Sequence, residues 1–229
     1  MPIRSLTPIE ARVLATLMEK ARTVPDSYPM TRNSLVIGCN QKTSRDPVME
    51  ISDDDAQAAL ESLKALSLVF EGSGSRVLRF EHNFLRVAGV ESAEAALLGL
   101  LMLKGPQTAA ELRTGGERWH KFESSAAVEV MLEAMKLRGD DGGAAYVVKL
   151  PRAHGAREQR WAHLLCGEID VASIVQPVVA DAEGLLARVT VLEEQVARLR
   201  VQNEAAQQAI HTICDQLGIA LNPPISSAG

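Results

Sequence analysis

A chain of 229 residues that is 46% hydrophobic but only 3% aromatic suits two small domains and an extension, with cores built from Leu, Val, Ala and Met. No run approaches the ~18 apolar residues of a membrane span, Met1-Pro2-Ile3-Arg4-Ser5 lacks a signal-peptide core, and Cys39, Cys166 and Cys214 have no short spacing, which predicts a cytoplasmic protein without a disulfide framework or zinc knuckle. The net charge of −5 arises wholly in residues 168–229, with 3 basic and 8 acidic side chains, whereas residues 1–88 (11 and 11) and 89–167 (10 and 10) are neutral and lack the strongly basic footprint of a chain made to hold a phosphate backbone.

The first predicted helix covers residues 7–21. Thr7 as N-cap, Pro8 at N1 and Glu10 at N3 give a capping-box start, and Val13, Leu14, Leu17 and Met18 share one face. Thr31 is read as the cap of a second helix that buries Leu35, Val36 and Cys39. Ser52, followed three residues later by Asp55, caps a third whose Ala56, Ala59, Leu60, Leu63 and Leu66 face inward. The period then changes, and residues 68–71 and 76–80 around Gly72-Ser73-Gly74-Ser75 read as a β-hairpin. The same order follows again. Helices are predicted over 92–103, onward from the cap Thr108 with Glu111 at N3, and over 125–137; a longer hairpin, 146–150 and 160–165, flanks the basic tip from Pro151 to Arg157.

The recurrence is visible in the residues. Glu10, Ala11, Leu14, Leu17, Met18 and Lys20 return as Glu94, Ala95, Leu98, Leu101, Met102 and Lys104 at an offset of 84, at which Arg76 also matches Arg160. Pro29-x-Thr31 matches Pro106-x-Thr108 at offset 77, and Leu60-Glu61-x-x-Lys64 matches Leu132-Glu133-x-x-Lys136 at offset 72. Drift that later cancels is what loop insertions between matching elements produce. The fold expected is mainly α with small β-hairpins (α+β): two tandem winged helix-turn-helix domains, residues 1–88 and 89–167. A C-terminal helix over 168–218 and a disordered tail over 219–229 complete it.

That C-terminal helix carries a heptad seam: Leu185, Val189, Leu192, Val196, Leu199, Asn203, Ala206, Ile210, Ile213 and Leu217. Val at a and Leu at d favour two strands, and Asn203 at an a position fixes register and dimer state. A homodimer through this helix is expected; the other reading is one amphipathic helix folded back on its own domains.

A winged helix commonly reads DNA with the N-terminal residues of its third helix. Here these are Asp53, Asp54 and Asp55, followed by Gln57 and Glu61, and copy two offers Glu129 and Glu133, so conventional docking is not expected. Acids at a helix start also stabilise the macrodipole. The cations lie elsewhere: the loop Asn40-Gln41-Lys42-Thr43-Ser44-Arg45, and the wings with Arg76, Arg79, Arg152, Arg157 and Arg160. Such positions serve phosphates, an acidic protein partner, or ion pairs within the chain. The five histidines, His82, His120, His154, His163 and His211, show no metal-ligand spacing and are each read as solvated or hydrogen-bonded. Gly72-Ser73-Gly74-Ser75 precedes a strand rather than a helix, so it is a turn and not a phosphate loop. No catalytic residue, metal site or cofactor is predicted.

Pro29-Met30-Thr31-Arg32-Asn33-Ser34-Leu35, the string from Cys39 to Val48, Gly74-Ser75-Arg76-Val77, Gly105-Pro106-Gln107-Thr108 and Glu111-Leu112-Arg113 closely resemble the YceH-like family of bacterial proteins, over about residues 5–167. The resemblance implies a tandem winged-helix fold and points to Asn33, Asn40, Gln41, Lys42, Arg45 and Arg76 as a binding surface. With Arg152, Arg157 and Arg160 of the second wing, these make the candidate partner or phosphate surface of a non-enzymatic regulatory or adaptor protein. Protein and DNA both stay open as its partner, and the alternative is a DNA-binding transcriptional regulator that grips phosphates with its basic wings.

Overall fold

The computed structural model describes residues 3–72, 77–138, 145–153 and 155–169, together with residues 193, 196–198, 200 and 203. Among these it is a mixed α/β chain of helices and two small antiparallel sheets. The chain divides into two compact units, Met1–Val175 and Gln176–Gly229.

In the first unit, α1 (Pro8–Thr23) begins where the sequence places it. The Thr7 hydroxyl accepts from the Glu10 N–H at 3.1 Å, and the Glu10 carboxylate accepts from the Thr7 N–H at 2.8 Å. A 3₁₀ turn (Pro25–Ser27) and a short strand β1 (Met30–Thr31), neither expected from the sequence, lead into α2 (Arg32–Cys39), capped by Thr31. Next come α3 (Asp53–Ala65), with Ser52 and Asp55 in a capping box, then β2 (Val69–Gly72), β3 (Arg79–His82) and a short α4 (Phe84–Ala88). Copy two runs α5 (Ser92–Lys104), α6 (Ala109–Gly116), α7 (Ser125–Leu137), β4 (Val147–Lys149) and β5 (Trp161–His163).

The hairpins correct the predicted register. Val69 pairs with His82 and Gly72 with Arg79, so the return strand starts at Arg79, three residues beyond its predicted start. β1 adds to its far edge, with Met30 opposite Phe80. In copy two the matching edge is a single bridge, in which Gln107 and Trp161 exchange backbone hydrogen bonds of 3.0 and 2.7 Å. Met30 and Gln107 hold the same place in the repeat, so Phe80 corresponds to Trp161, and Arg79, not Arg76, corresponds to Arg160.

Both copies share one apolar core. Leu14 and Leu17 of α1 and their counterparts Leu98 and Leu101 of α5 are all fully enclosed, and the two helices pack together. Gly99 of α5 makes room for the Trp119 ring, since a Cβ there would lie 2.4 Å from it, whereas Met18 Cε of α1 would be at an ordinary contact distance of 3.5 Å. Two backbone bonds stitch the copies further: the Leu6 N–H donates to Leu165 O and the Asp46 N–H to Leu103 O, each at 2.8 Å.

In the second unit, residues 193, 196–198, 200 and 203 are helical and exposed. Of the predicted seam, Val196 and Asn203 are among them. Leu185, Val189, Leu192, Leu199, Ile210, Ile213 and Leu217 lie outside the described residues.

Candidate functional site

The loop from Asn40 to Ile51 is built around buried cations. Arg45 carries its guanidinium into the interior, with no side-chain exposure. It donates to Gly38 O at 3.2 and 2.9 Å, to Ser44 O at 2.9 Å and to both Glu19 carboxylate oxygens at 3.3 and 2.6 Å. Burial pushes the Glu19 carboxyl upward, but the hydrogen bonds and charge of Arg45, with Lys20 beside it, outweigh this and hold it below the ordinary range. Arg12, also enclosed, donates to Cys39 O at 3.2 Å and Pro47 O at 2.6 Å. Asn40 clamps the loop's two ends, its amide donating to Ile51 O and its carbonyl accepting from the Ile51 N–H, both at 2.8 Å.

These contacts sort the predicted surface. Arg45 leaves it: the guanidinium is consumed by the loop's own carbonyls and Glu19, so it cannot meet a partner. Asn40 is likewise committed to the loop. Gln41 accepts weakly from Lys20 at 3.4 Å. Lys42 stands exposed with no partner among the described residues. Arg76 lies outside them.

Arg160 donates to Pro106 O at 2.7 Å and pairs with Glu111 at 2.9 Å, and Arg79 donates to Pro29 O at 2.8 Å. The shared job of the repeated arginine is therefore to fasten the last strand to the proline two residues before the helix cap, and Arg79 and Arg160 perform it. The histidines three places on also correspond: His82 and His163 are both partly buried, each with an enclosed Nδ1 that lacks a hydrogen-bond partner. Burial pushes each down to about 4.

The outward faces of the third helices are occupied. In copy one Arg32 pairs with Asp53 at 2.6 Å and donates to Gln57 at 3.0 Å, Gln57 donates to Glu61 at 2.8 Å, and Lys64 pairs with Glu71. In copy two Lys149 of β4 reaches back to Glu129 at 2.5 Å and Glu133 at 2.8 Å. The Trp161 indole N–H donates to Glu129 at 3.0 Å, and the hydrogen bond from Lys149 holds the Glu133 carboxyl below its ordinary range.

Equivalent clefts open between the second helix, the third helix and the wing of each copy. The first, about 460 Å³, is lined by Asn33 with Arg32, Asp53, Gln57 and the wing residues Val77 and Leu78. Its counterpart, about 360 Å³, carries Arg152 and Arg157 beside Ser125, Glu129 and Lys149; both arginines are exposed and without a partner among the described residues. Asn33 and the two wing arginines thus belong to different clefts. A third, of about 740 Å³, lies where the Arg45 loop meets α5 and α6, and is walled by Asp46, Lys104, Gln107, Thr114, Gly115 and Arg160. Sequence reasoning missed Lys104, Gln107 and Gly115; the signals were the repetition of Lys20 as Lys104 and a glycine pair closing a helical pattern. No cluster of His, Cys, Asp or Glu able to hold a metal occurs among the described residues, and none of their helices is long and apolar enough to cross a membrane.

The model of the family described as "Protein of unknown function, DUF480" matches residues 6–156. A UPF0502 protein of Polaromonas sp. (strain JS666 / ATCC BAA-500) is 64% identical over 230 residues, covering 100% of this chain and 98% of the relative. One from Polaromonas naphthalenivorans (strain CJ2) is 58% identical over 86% of this chain and 96% of its own, and one from Cupriavidus metallidurans is 47% identical over 97% and 90%. The match spans both copies of the repeat and takes in the loop and the Gly105-Pro106-Gln107-Thr108 turn, and the chain belongs to the DUF480 (UPF0502) family of bacterial proteins.

Proposed function

We propose that the chain is a non-enzymatic adaptor made of two tandem winged helix-turn-helix modules, that it engages a protein partner, and that it pairs with a second copy through its C-terminal helix. The order of three helices and a hairpin, twice over, supports the winged-helix reading. The observation that carries the choice of partner is the closure of both third-helix faces. The side chains a winged helix would extend into a major groove are carboxylates already held by Arg32 and Lys149. Opening them to DNA would set uncompensated negative charge against phosphate. Lys42, Arg152 and Arg157 remain open to solvent and suit an acidic protein surface.

The alternative, a transcriptional regulator gripping phosphates through its basic wings, rests on the same Arg152 and Arg157. Affinity capture from the native cell with the full chain as bait, with and without nuclease, separates the two. A partner protein retained after nuclease supports the adaptor. Recovery that vanishes with nuclease overturns it in favour of the regulator.

A further inference from the structure

The segments that carry the family resemblance are distant in sequence, yet the loop around Arg45 and Asp46, the turn at Pro106 and Gln107, and the helix containing Glu111 meet in the 740 Å³ cleft. Its walls are fixed from behind. Arg45 is locked to Glu19 and two loop carbonyls, Asp46 is tied to Leu103 by its backbone, and Gln107 is held to Trp161 on both sides of its peptide unit. Gly105, at φ +67 and ψ −157, turns the chain from α5 into the cleft wall through a conformation that only glycine adopts readily.

The floor holds two polar groups in want of partners. Gln107 is largely buried, yet its Oε1 is not among the enclosed unpartnered atoms and so faces the cleft; its amide nitrogen donates to Leu100 O at 3.1 Å and to Gly105 O at 3.4 Å. Its carbonyl oxygen accepts nothing among the described residues. The Lys104 ammonium has no partner among them either. Both point at the same spot above α6: from the place where a Cβ on Gly115 would stand, Lys104 Nζ lies 3.4 Å away and Gln107 Oε1 4.0 Å. An amide fixed by its nitrogen presents its oxygen to the cleft as a preset acceptor. The glycine keeps the space between donor and acceptor clear.

We propose that this cleft is the partner site of the adaptor and takes a short extended protein segment, seating an acidic side chain on Lys104 while an N–H of the segment donates to Gln107 Oε1. This rests on the protein-adaptor reading above. A carboxylate matches the ammonium in charge, and an adjacent amide N–H supplies the donor that the Gln107 carbonyl can accept. A nucleic acid fits less well, because no aromatic side chain lines the cleft to stack a base, and a phosphate chain would run past the carboxylates of Asp46 and Glu111 at the walls.

The test selects dodecapeptides from a randomised phage-displayed library on the full chain, then measures the enriched peptides by fluorescence anisotropy. The variants are Lys104→Gln, Gly115→Ala and Gly115→Leu, with Arg86→Ala, an exposed cation of α4 away from the cleft, as control. The inference expects an acidic residue common to the enriched peptides and at least tenfold weaker binding for Lys104→Gln and Gly115→Leu, with Arg86→Ala unchanged. Gly115→Ala guards against a folding artefact: it improves helix propensity, so its thermal midpoint should hold or rise while its peptide affinity falls. Enriched peptides that bind all variants like wild type would overturn the cleft and leave the adaptor reading standing. Failure to enrich any peptide also overturns the cleft. Single-stranded DNA that binds with tenfold dependence on Lys104 would overturn both readings.

Discussion

A guanidinium folded into a loop interior is a stability element, and its removal exposes what it was holding. Arg45 satisfies Glu19 and the carbonyls of Gly38 and Ser44 at once, so Arg45→Ala leaves those buried carbonyls without their donor and the Glu19 carboxylate with Lys20 as its remaining ion pair. That should cost about 3–5 kcal/mol, read as a lower denaturant midpoint at neutral pH. Lys42→Ala, three residues away and solvent-exposed, should change it by no more than about 0.5 kcal/mol. Equal effects from the two would contradict the burial of Arg45. His82 and His163 add a pH dependence. Each titrates at about 4 in the folded chain against an ordinary 6.5, because burial excludes the imidazolium. Between pH 6.5 and about 4 the unfolded chain therefore binds protons that the folded chain refuses. Stability is fully present above that window and falls as pH drops through it, by up to about 3 kcal/mol per histidine. Glu10, held down to about 2 chiefly by its hydrogen bond from Arg4, extends the loss below pH 4.5. A His82→Asn/His163→Asn variant should show a flatter decline between pH 7 and 4.5 in denaturant titrations; an unaltered slope would count against buried neutral histidines.

Elements were legible where local chemistry fixes them. Capping boxes at Thr7, Ser52 and Thr108 announce three helix starts, and all three form, because a side chain and a backbone N–H three residues apart settle the matter without tertiary help. The hairpin registers were not legible. Matching identities joined Arg76 to Arg160, but the strands correspond through Arg79-Phe80-x-His82 and Arg160-Trp161-x-His163. Pairing with β1 and its counterpart bridge, a non-local contact, selects that register. The same limit hid the site: a cation in a polar loop reads alike whether it faces water or Glu19, and only the fold brings Glu19 opposite Arg45 or Gln107 above Gly115. The contact of Gly99 with Trp119 was equally invisible, and it supplies a test with an unusual sign. Glycine to alanine inside an exposed helix ordinarily stabilises by roughly 1 kcal/mol, yet Gly99→Ala would press a methyl into Trp119. It should instead destabilise by about 1–3 kcal/mol, as calorimetry of the full chain would register.

For the whole molecule, the two copies share one continuous core, and assembly through the acidic C-terminal segment is a proposal. If the heptad seam pairs chains, sedimentation should give a dimer that becomes a monomer on removal of residues 181–229, while the helices and hairpins of residues 1–167 persist. A monomer at tens of micromolar full-length protein would refute the pairing. The account's central claim is that this fold, with its third-helix faces closed and its two copies neutral, serves a protein and not a phosphate backbone. The most direct measurement is binding of the full chain to a mixed-sequence duplex across a salt series, for wild type and for Lys42→Ala, Arg152→Ala and Arg157→Ala. The account predicts binding weaker than about micromolar at physiological salt, with little change on removing any of these cations. Nanomolar binding that falls steeply with salt, with a slope lessened by roughly one for each cation removed, would contradict it.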